Sequence, residues 1–186
     1  MGEEKKLKWI GTRPIRHDGV DKVTGKAGFG ADLNWPGTLC GKILRSPHAH
    51  ARIVSIDTSA AAAIDGVVAV VTGADFPDPP TGKGVGEGPQ DFADMARNVM
   101  AREKALYNGH AIAAVAAKTP RIAERALQAI EVKYELLEPV LNLTRALAAD
   151  APILHEGMRA KGDEPLPEGP TNIANHSFMG FGDVDE

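Results

Sequence analysis

Gly37-Thr38-Leu39-Cys40-Gly41-Lys42-Ile43-Leu44-Arg45-Ser46-Pro47-His48-Ala49-His50-Ala51-Arg52-Ile53-Val54-Ser55-Ile56-Asp57 is the stretch whose reading decides the fold. It reads as two strands joined by a rigid corner, because the residue before a proline is driven to extended backbone and proline removes a ladder donor. Over 39–45 the two-residue period puts Leu39 and Ile43 on one face, with Lys42 and Leu44 on the other. Over 52–57 the alternation favours Val54 with Ile56 as the core pair. Nothing in the stretch is an evident nucleophile or metal cage.

Working outward, Asp57 or Thr58 caps a short helix over 60–64, and Asp65-Gly66 ends it. The β-branched run over 67–71 predicts a strand buried on both faces. From 77 to 90 prolines alternate with glycines, a composition that predicts a long exposed loop. A short helix over 91–100 and a strand over 104–107 follow. Asn108-Gly109 signals a hairpin, with 111–117 as the returning strand. Thr119-Pro120 opens a helix whose apolar stripe is Ile122, Ala126, Leu127 and Ile130. A strand over 132–137 and a helix over 143–148 capped by Asn142 complete the pattern. Upstream, 21–26 reads as a turn into a first strand at 27–33, and 172–178 reads as a terminal strand. Strands joined by short turns with interspersed helices predict an α+β or α/β fold with antiparallel pairing where the turns are short, and of the two α+β is favoured, a mixed, mostly antiparallel sheet with two or three short helices.

The composition excludes several classes. At 186 residues, 43% hydrophobic but 5% aromatic, the chain builds a core from Ala, Val, Ile and Leu. A net charge of −4, from 21 basic and 25 acidic residues, gives no nucleic-acid signature. One cysteine, Cys40, excludes an internal disulfide and a self-contained iron–sulfur cluster, which needs about four cysteines. No run approaches the roughly 20 apolar residues of a membrane span, and the N-terminus does not resemble a signal peptide. A cytoplasmic setting is the expectation.

Each candidate site lacks a part its chemistry needs. Gly25-Lys26 and Gly82-Lys83 both miss the phosphate-loop spacing, with Val20 and Pro77 where a glycine is required. His48 and His50, two apart, could share a strand face and ligate a metal, but His17, His110, His155 and His176 supply no third-ligand motif. Cys40 reads as a small buried hydrophobe. No Ser-His-Asp elbow occurs, and His155-Glu156 is a single pair. No catalytic, cofactor-binding or metal residue is assigned. Arg45, Ser46, His48 and His50 are the candidate partner-contact residues, with the 77–90 loop as a second surface.

Three segments together carry a family likeness: Gly25-Lys26-Ala27 through Ile53, Gly66 through Thr72, and Tyr107-Asn108-Gly109-His110-Ala111 onward to Ala151-Pro152-Ile153-Leu154-His155-Glu156. In order and spacing they resemble the α/β-hammerhead domain of the xanthine dehydrogenase and aldehyde oxidase family, the molybdenum hydroxylases. The resemblance implies an N-terminal arm over 1–22, a hammerhead domain over 23–156, and an extended segment over 157–186 leading to a cofactor-binding region lying outside this sequence. It also implies an oxidoreductase acting on an aldehyde or N-heterocycle with a molybdenum–pterin cofactor, which this chain alone does not bind. [2Fe-2S] clusters and FAD are then expected on partner subunits or domains, and the partners are a molybdopterin-binding region, an iron–sulfur subunit and a flavin subunit. At the position after Gly109 the commoner residue is glutamine or another polar one; His110 there leaves the substrate open. The alternative is a stand-alone, non-catalytic binding or assembly module.

Overall fold

A computed structural model describes residues 7–33, 35–77, 98–157 and 159–182. The chain divides into two compact units, Met1–Thr38 and Leu39–Glu186. In the first, α1 (Gly19–Val23) follows Asp18, which bridges to Arg16 at 2.8 Å and Lys22 at 2.7 Å. The strand expected at 27–33 is not formed. Gly30–Asp32 is instead a 3₁₀ turn, because the Asp32 carboxylate reaches back to accept the Phe29 amide at 2.9 Å. A short acidic side chain thus offers the backbone a local partner in place of a strand ladder. None of this unit's described residues is buried.

The second unit threads two antiparallel sheets. In chain order its elements are β1 (Cys40–Arg45), β2 (Ala51–Asp57), α2 (Ser59–Ala62), β3 (Val67–Thr72), β4 (Lys104–Ala105), β5 (Ala111–Ala117), α3 (Pro120–Gln128), β6 (Glu131–Leu136), α4 (Leu143–Leu147), β7 (Lys161–Gly162) and β8 (Asn175–His176). One sheet runs β1-β5-β3 and the other β4-β2-β6, while β7 and β8 form a small parallel pair. Successive strands from β1 to β6 therefore alternate between the two sheets. The α+β architecture read from the sequence is the one found.

Asn108-Gly109 does turn the chain, with Gly109 at φ +89°. It does not close a hairpin, because β4 pairs with β2 while β5 pairs with β1 and β3. The turn hands the chain from one sheet to the other. The terminal strand expected over 172–178 shrinks to the two residues of β8. The loop at 77–90 and the helix at 91–100 fall almost wholly on residues 78–97, outside the described residues.

Bulges reset two face assignments. The register of β2 against β6 slips between Ile53 and Ser55, making Val54 the extra residue. One inserted residue moves everything beyond it to the opposite face. Ile53 and Ile56 thus both pack inward and Val54 is 61% exposed, overturning the Val54–Ile56 pair. A similar slip in β3 turns Val68 outward.

The main core joins Ala61, Ala113, Val115, Ala117, Ala123, Ala126 and Ile130, with Leu44, Val67 and Val70 packed against it. Alanines at the contact let α3 approach the sheet closely, which is how an aromatic-poor chain fills its interior. The helix begins as its sequence predicts: Thr119 Oγ1 accepts the Ile122 amide at 3.2 Å with Pro120 in the first turn. Its Ile122 lies over Gly66, where an added Cβ would come within 2.7 Å of Cδ1. Gly66 also sits at φ +87°, so two independent constraints demand glycine there. Of the two cap candidates for α2, Asp57 is the one used: its Oδ1 accepts the Ser59 amide at 2.9 Å, and Thr58 makes no side-chain cap bond.

Candidate docking site

The corner between β1 and β2 is held by bonds to the Asn108–His110 turn. The Ser46 amide donates to the His110 carbonyl at 2.8 Å, and the Gly109 amide donates to the Ser46 carbonyl at 2.8 Å. Asn108 Nδ2 donates to the Pro47 carbonyl at 2.9 Å, and Arg45 Nη1 to the Gly109 carbonyl at 2.9 Å. Proline's missing donor costs nothing here, since its carbonyl does the bonding. Two segments far apart in sequence thus lock each other.

The candidate contact residues divide by burial. Ser46 is 2% exposed. Its hydroxyl donates to the His48 carbonyl at 3.0 Å and accepts the His48 amide at 3.1 Å. His50 is 6% exposed, and its Nδ1 lies 2.8 Å from the Glu138 carbonyl. A carbonyl oxygen only accepts, so Nδ1 carries a proton there, while Nε2 is buried without a partner. His48 is half-buried, its ring edge-on to Tyr134 with centroids 4.9 Å apart. Arg45 is exposed. Arg45 and His48 therefore offer surface at this corner, whereas the Ser46 hydroxyl and His50 Nδ1 are engaged within the chain.

Tyr134 completes the inner side. Burial pushes its phenol above the ordinary value, with the Ser46 hydroxyl pulling the other way. His48 and His50 use separate partners and do not converge. Among the described residues no group of His, Cys, Asp or Glu side chains could hold a metal ion. Cys40 is half-buried in β1.

His110, which carries no local sequence signal beyond its place after Gly109, is the side chain that organises the turn. It is fully buried. Its Nδ1 accepts the Leu106 amide at 3.2 Å, so Nε2 carries the proton and donates to the Asn98 carbonyl at 2.8 Å. Tyr107 stacks on the ring at 4.5 Å. Its ring atoms are committed inside this domain.

A second polar locus lies where the C-terminal segment crosses β4. Lys104 bridges to Glu156 at 2.9 Å and donates to the Leu154 carbonyl at 3.3 Å. That ammonium holds the Glu156 carboxyl below its ordinary range. The adjoining open groove encloses about 530 Å³, and its lining mixes Arg102 and Lys104 with Glu103 and Glu156. No helix among the described residues is long and apolar enough to cross a membrane.

Two interlocked antiparallel sheets joined by a locked corner agree with what comparison with known proteins finds. Residues 24–138 match the aldehyde oxidase and xanthine dehydrogenase a/b hammerhead domain, and the chain belongs to that family. It is 40% identical over 174 residues to a probable xanthine dehydrogenase subunit of Bacillus subtilis, covering 92% of this chain and 20% of that protein. It is 35% identical to the nicotinate dehydrogenase large molybdopterin subunit of Eubacterium barkeri, covering 100% of this chain and 38% of that protein. Among solved structures, the aldehyde oxidoreductase from Desulfovibrio gigas aligns with a TM-score of 0.66 at 33% identity, over 77% of this chain and 16% of its own. The chain thus spans 16–38% of the length of these relatives.

Proposed function

We propose that this chain is the hammerhead portion of a molybdenum-dependent hydroxylase, a scaffold that docks against a larger molybdopterin-binding region and holds no complete active site of its own. The observation that carries the reading is the match over residues 24–138 to a domain forming only a minor part of each relative. The corner chemistry supports it: the polar groups of Ser46, His110 and Asn108 are turned on one another, leaving no nucleophile–base pair there. The molybdenum–pterin cofactor then belongs to the larger region, which supplies the oxidation chemistry, with [2Fe-2S] clusters and FAD on partner subunits or domains. The substrate class is an aldehyde or N-heterocycle, and the setting is cytoplasmic. An arm over 1–22, the hammerhead over 23–156 and an extended segment over 157–186 are the working parts of this proposal, with Arg45 and His48 as corner contacts.

Co-expression with the flanking genes, size-exclusion chromatography and metal analysis test it. Co-elution with a molybdenum-containing polypeptide is the expected result, together with no turnover by the chain alone. Molybdenum or turnover in the isolated chain would overturn it, and a solitary monomer would make it a stand-alone module.

A further inference from the structure

The two sheets treat their outer faces differently. On the β4-β2-β6 sheet the cross-strand pairs exposed on both sides are Arg52 opposite Glu135, Ser55 opposite Lys133 and Asp57 opposite Glu131, with an Arg52–Glu135 ion pair at 3.0 Å, while the bulged Val54 (61%) and the strand-end Leu136 (67%) are its exposed apolar residues. That is the polar-out alternation of a sheet with one solvated side. The β1-β5-β3 sheet lacks it. Its inner face, with Leu44, Val115 and Val70, is covered by α2 and α3. On the opposite face Ile43, Ala114 and Val71 form one cross-strand row, and Gly41, Ala116 and Ala69 form the next. Neither row contains a charged or polar side chain, and the next position of β1 on this face is the exposed Arg45, opposite Ala111. Ile43 is 46% exposed, and the bulged Val68 beside the second row is 56% exposed.

The strand sequences tell the same story. Val67–Thr72 and Ala111–Ala117 read as continuous apolar runs, the pattern of strands buried on both faces. Yet β3 is an edge strand of this sheet, and its Val68 and Ala69 are exposed. An uncharged valine-rich edge without proline or lysine is a self-association hazard when bare. Among the described residues the two-sided burial expected for 67–71 is thus met on one face only.

We propose that the outer face of the β1-β5-β3 sheet, with the free edge of β3, is the docking surface for the rest of the molybdopterin-binding polypeptide. This inference rests on the proposed function and names its interface. The relatives carry 62–80% of their length beyond the matched part, ample chain to supply a cover. The cover is an uncharged aliphatic surface, since a charge set against these rows would lose its water without gaining a partner. The second row, Gly41, Ala116 and Ala69, carries only small side chains, which would let that surface come close.

The test places a photo-crosslinking amino acid at Ile43, and separately at Val54 on the other sheet, in the full chain co-expressed with its flanking genes. Cross-links from position 43 to a molybdopterin-binding polypeptide are expected, with none from position 54. Ile43→Lys and Ala69→Glu, each chosen because the side chain points away from the core, should cut co-purified molybdenum by at least about tenfold. Val54→Lys should leave it within about twofold, and circular dichroism melts confirm that each variant is folded. Cross-links from position 43 only to a second copy, or only to residues 1–38, overturn the inference, as does undiminished molybdenum in the two face variants. If no molybdenum polypeptide accompanies the unsubstituted chain, the proposed function itself has failed and this interface falls with it. If it does accompany the chain but cross-links only from position 54, the function stands and this face is wrong.

Discussion

Replacing Ser46 by alanine removes one oxygen from a site that is 2% exposed, and that oxygen serves both polar groups of the His48 backbone. A typical net hydrogen bond contributes about 0.5–1.5 kcal/mol, and a buried donor left unpaired costs roughly 1–3 kcal/mol. The His48 amide loses its acceptor, while the His48 carbonyl at the corner's half-buried rim can turn to water. The larger loss therefore dominates, and about 2 kcal/mol is expected. For a chain of this size each kcal/mol moves the melting midpoint by about 2–4 °C, so Ser46→Ala should melt roughly 4–8 °C lower. Urea unfolding followed by circular dichroism gives the same quantity independently, as a lower midpoint at constant slope. Tyr134 supplies a second readout. Its phenol is raised by burial and drawn back by the Ser46 hydroxyl, so it should titrate higher still in the variant. Absorbance titration in a Tyr107→Phe background isolates it, since the chain has 2 tyrosines. If Ser46→Ala changes stability by less than about 0.5 kcal/mol yet weakens association with a partner, the internal-clasp argument is wrong and Ser46 is a contact residue after all.

Two further perturbations probe the same framework. At buried Gly73, just after β3, an added Cβ would come within 2.5 Å of the Ala101 carbonyl oxygen and 2.9 Å of Arg102 Cγ. Gly73→Ala should therefore cost about 1–3 kcal/mol in urea unfolding, and a neutral result would show that the 98–102 segment can move away freely. The Thr72 amide and hydroxyl hold the Asp75 carboxyl below its ordinary 3.8, as the Ser59 hydroxyl and amide do for Asp57. A depressed carboxylate stabilises the fold above its unfolded value and loses that contribution as pH falls through the folded one. Asp75→Asn should thus be less stable at neutral pH and show a shallower decline below about pH 4. Parallel decline in both proteins would refute the assignment.

What the sequence disclosed followed from how local each signal is. The start of α3 was legible because Thr119 and Pro120 act within one turn, and β1 and β2 were legible because Ser46-Pro47 must break a strand. Which sheet a strand enters was not, since Asn108-Gly109 dictates a reversal but not the partner beyond it. Bulges hid for the same reason: Ile53-Val54-Ser55-Ile56 alternates on paper, and only pairing with β6 reveals the extra residue. At 27–33 a local carboxylate bond outcompeted a weak strand pattern. The candidate site was half legible. Punctuation around Ser46-Pro47-His48 marked a corner, but the burial of Ser46, His50 and His110 depends on segments brought in from far along the chain.

Punctuated polar residues attract notice as an interface, yet here they are where the protein is most self-sufficient. The Ser46 hydroxyl, the Pro47 carbonyl and both nitrogens of His110 each have a partner inside the chain. Docking such groups elsewhere would first require breaking bonds worth about as much as those gained. The outer rows of the β1-β5-β3 sheet face the opposite balance. Ile43, Val68 and Ala69 give up only contact with water when covered, and each Å² of apolar area removed contributes about 25 cal/mol. In a domain whose helices already fill one side of that sheet with alanine and valine, Ile43, Val68 and Ala69 stay exposed on the other. On the docking proposed above, the strands would therefore supply the driving force for assembly.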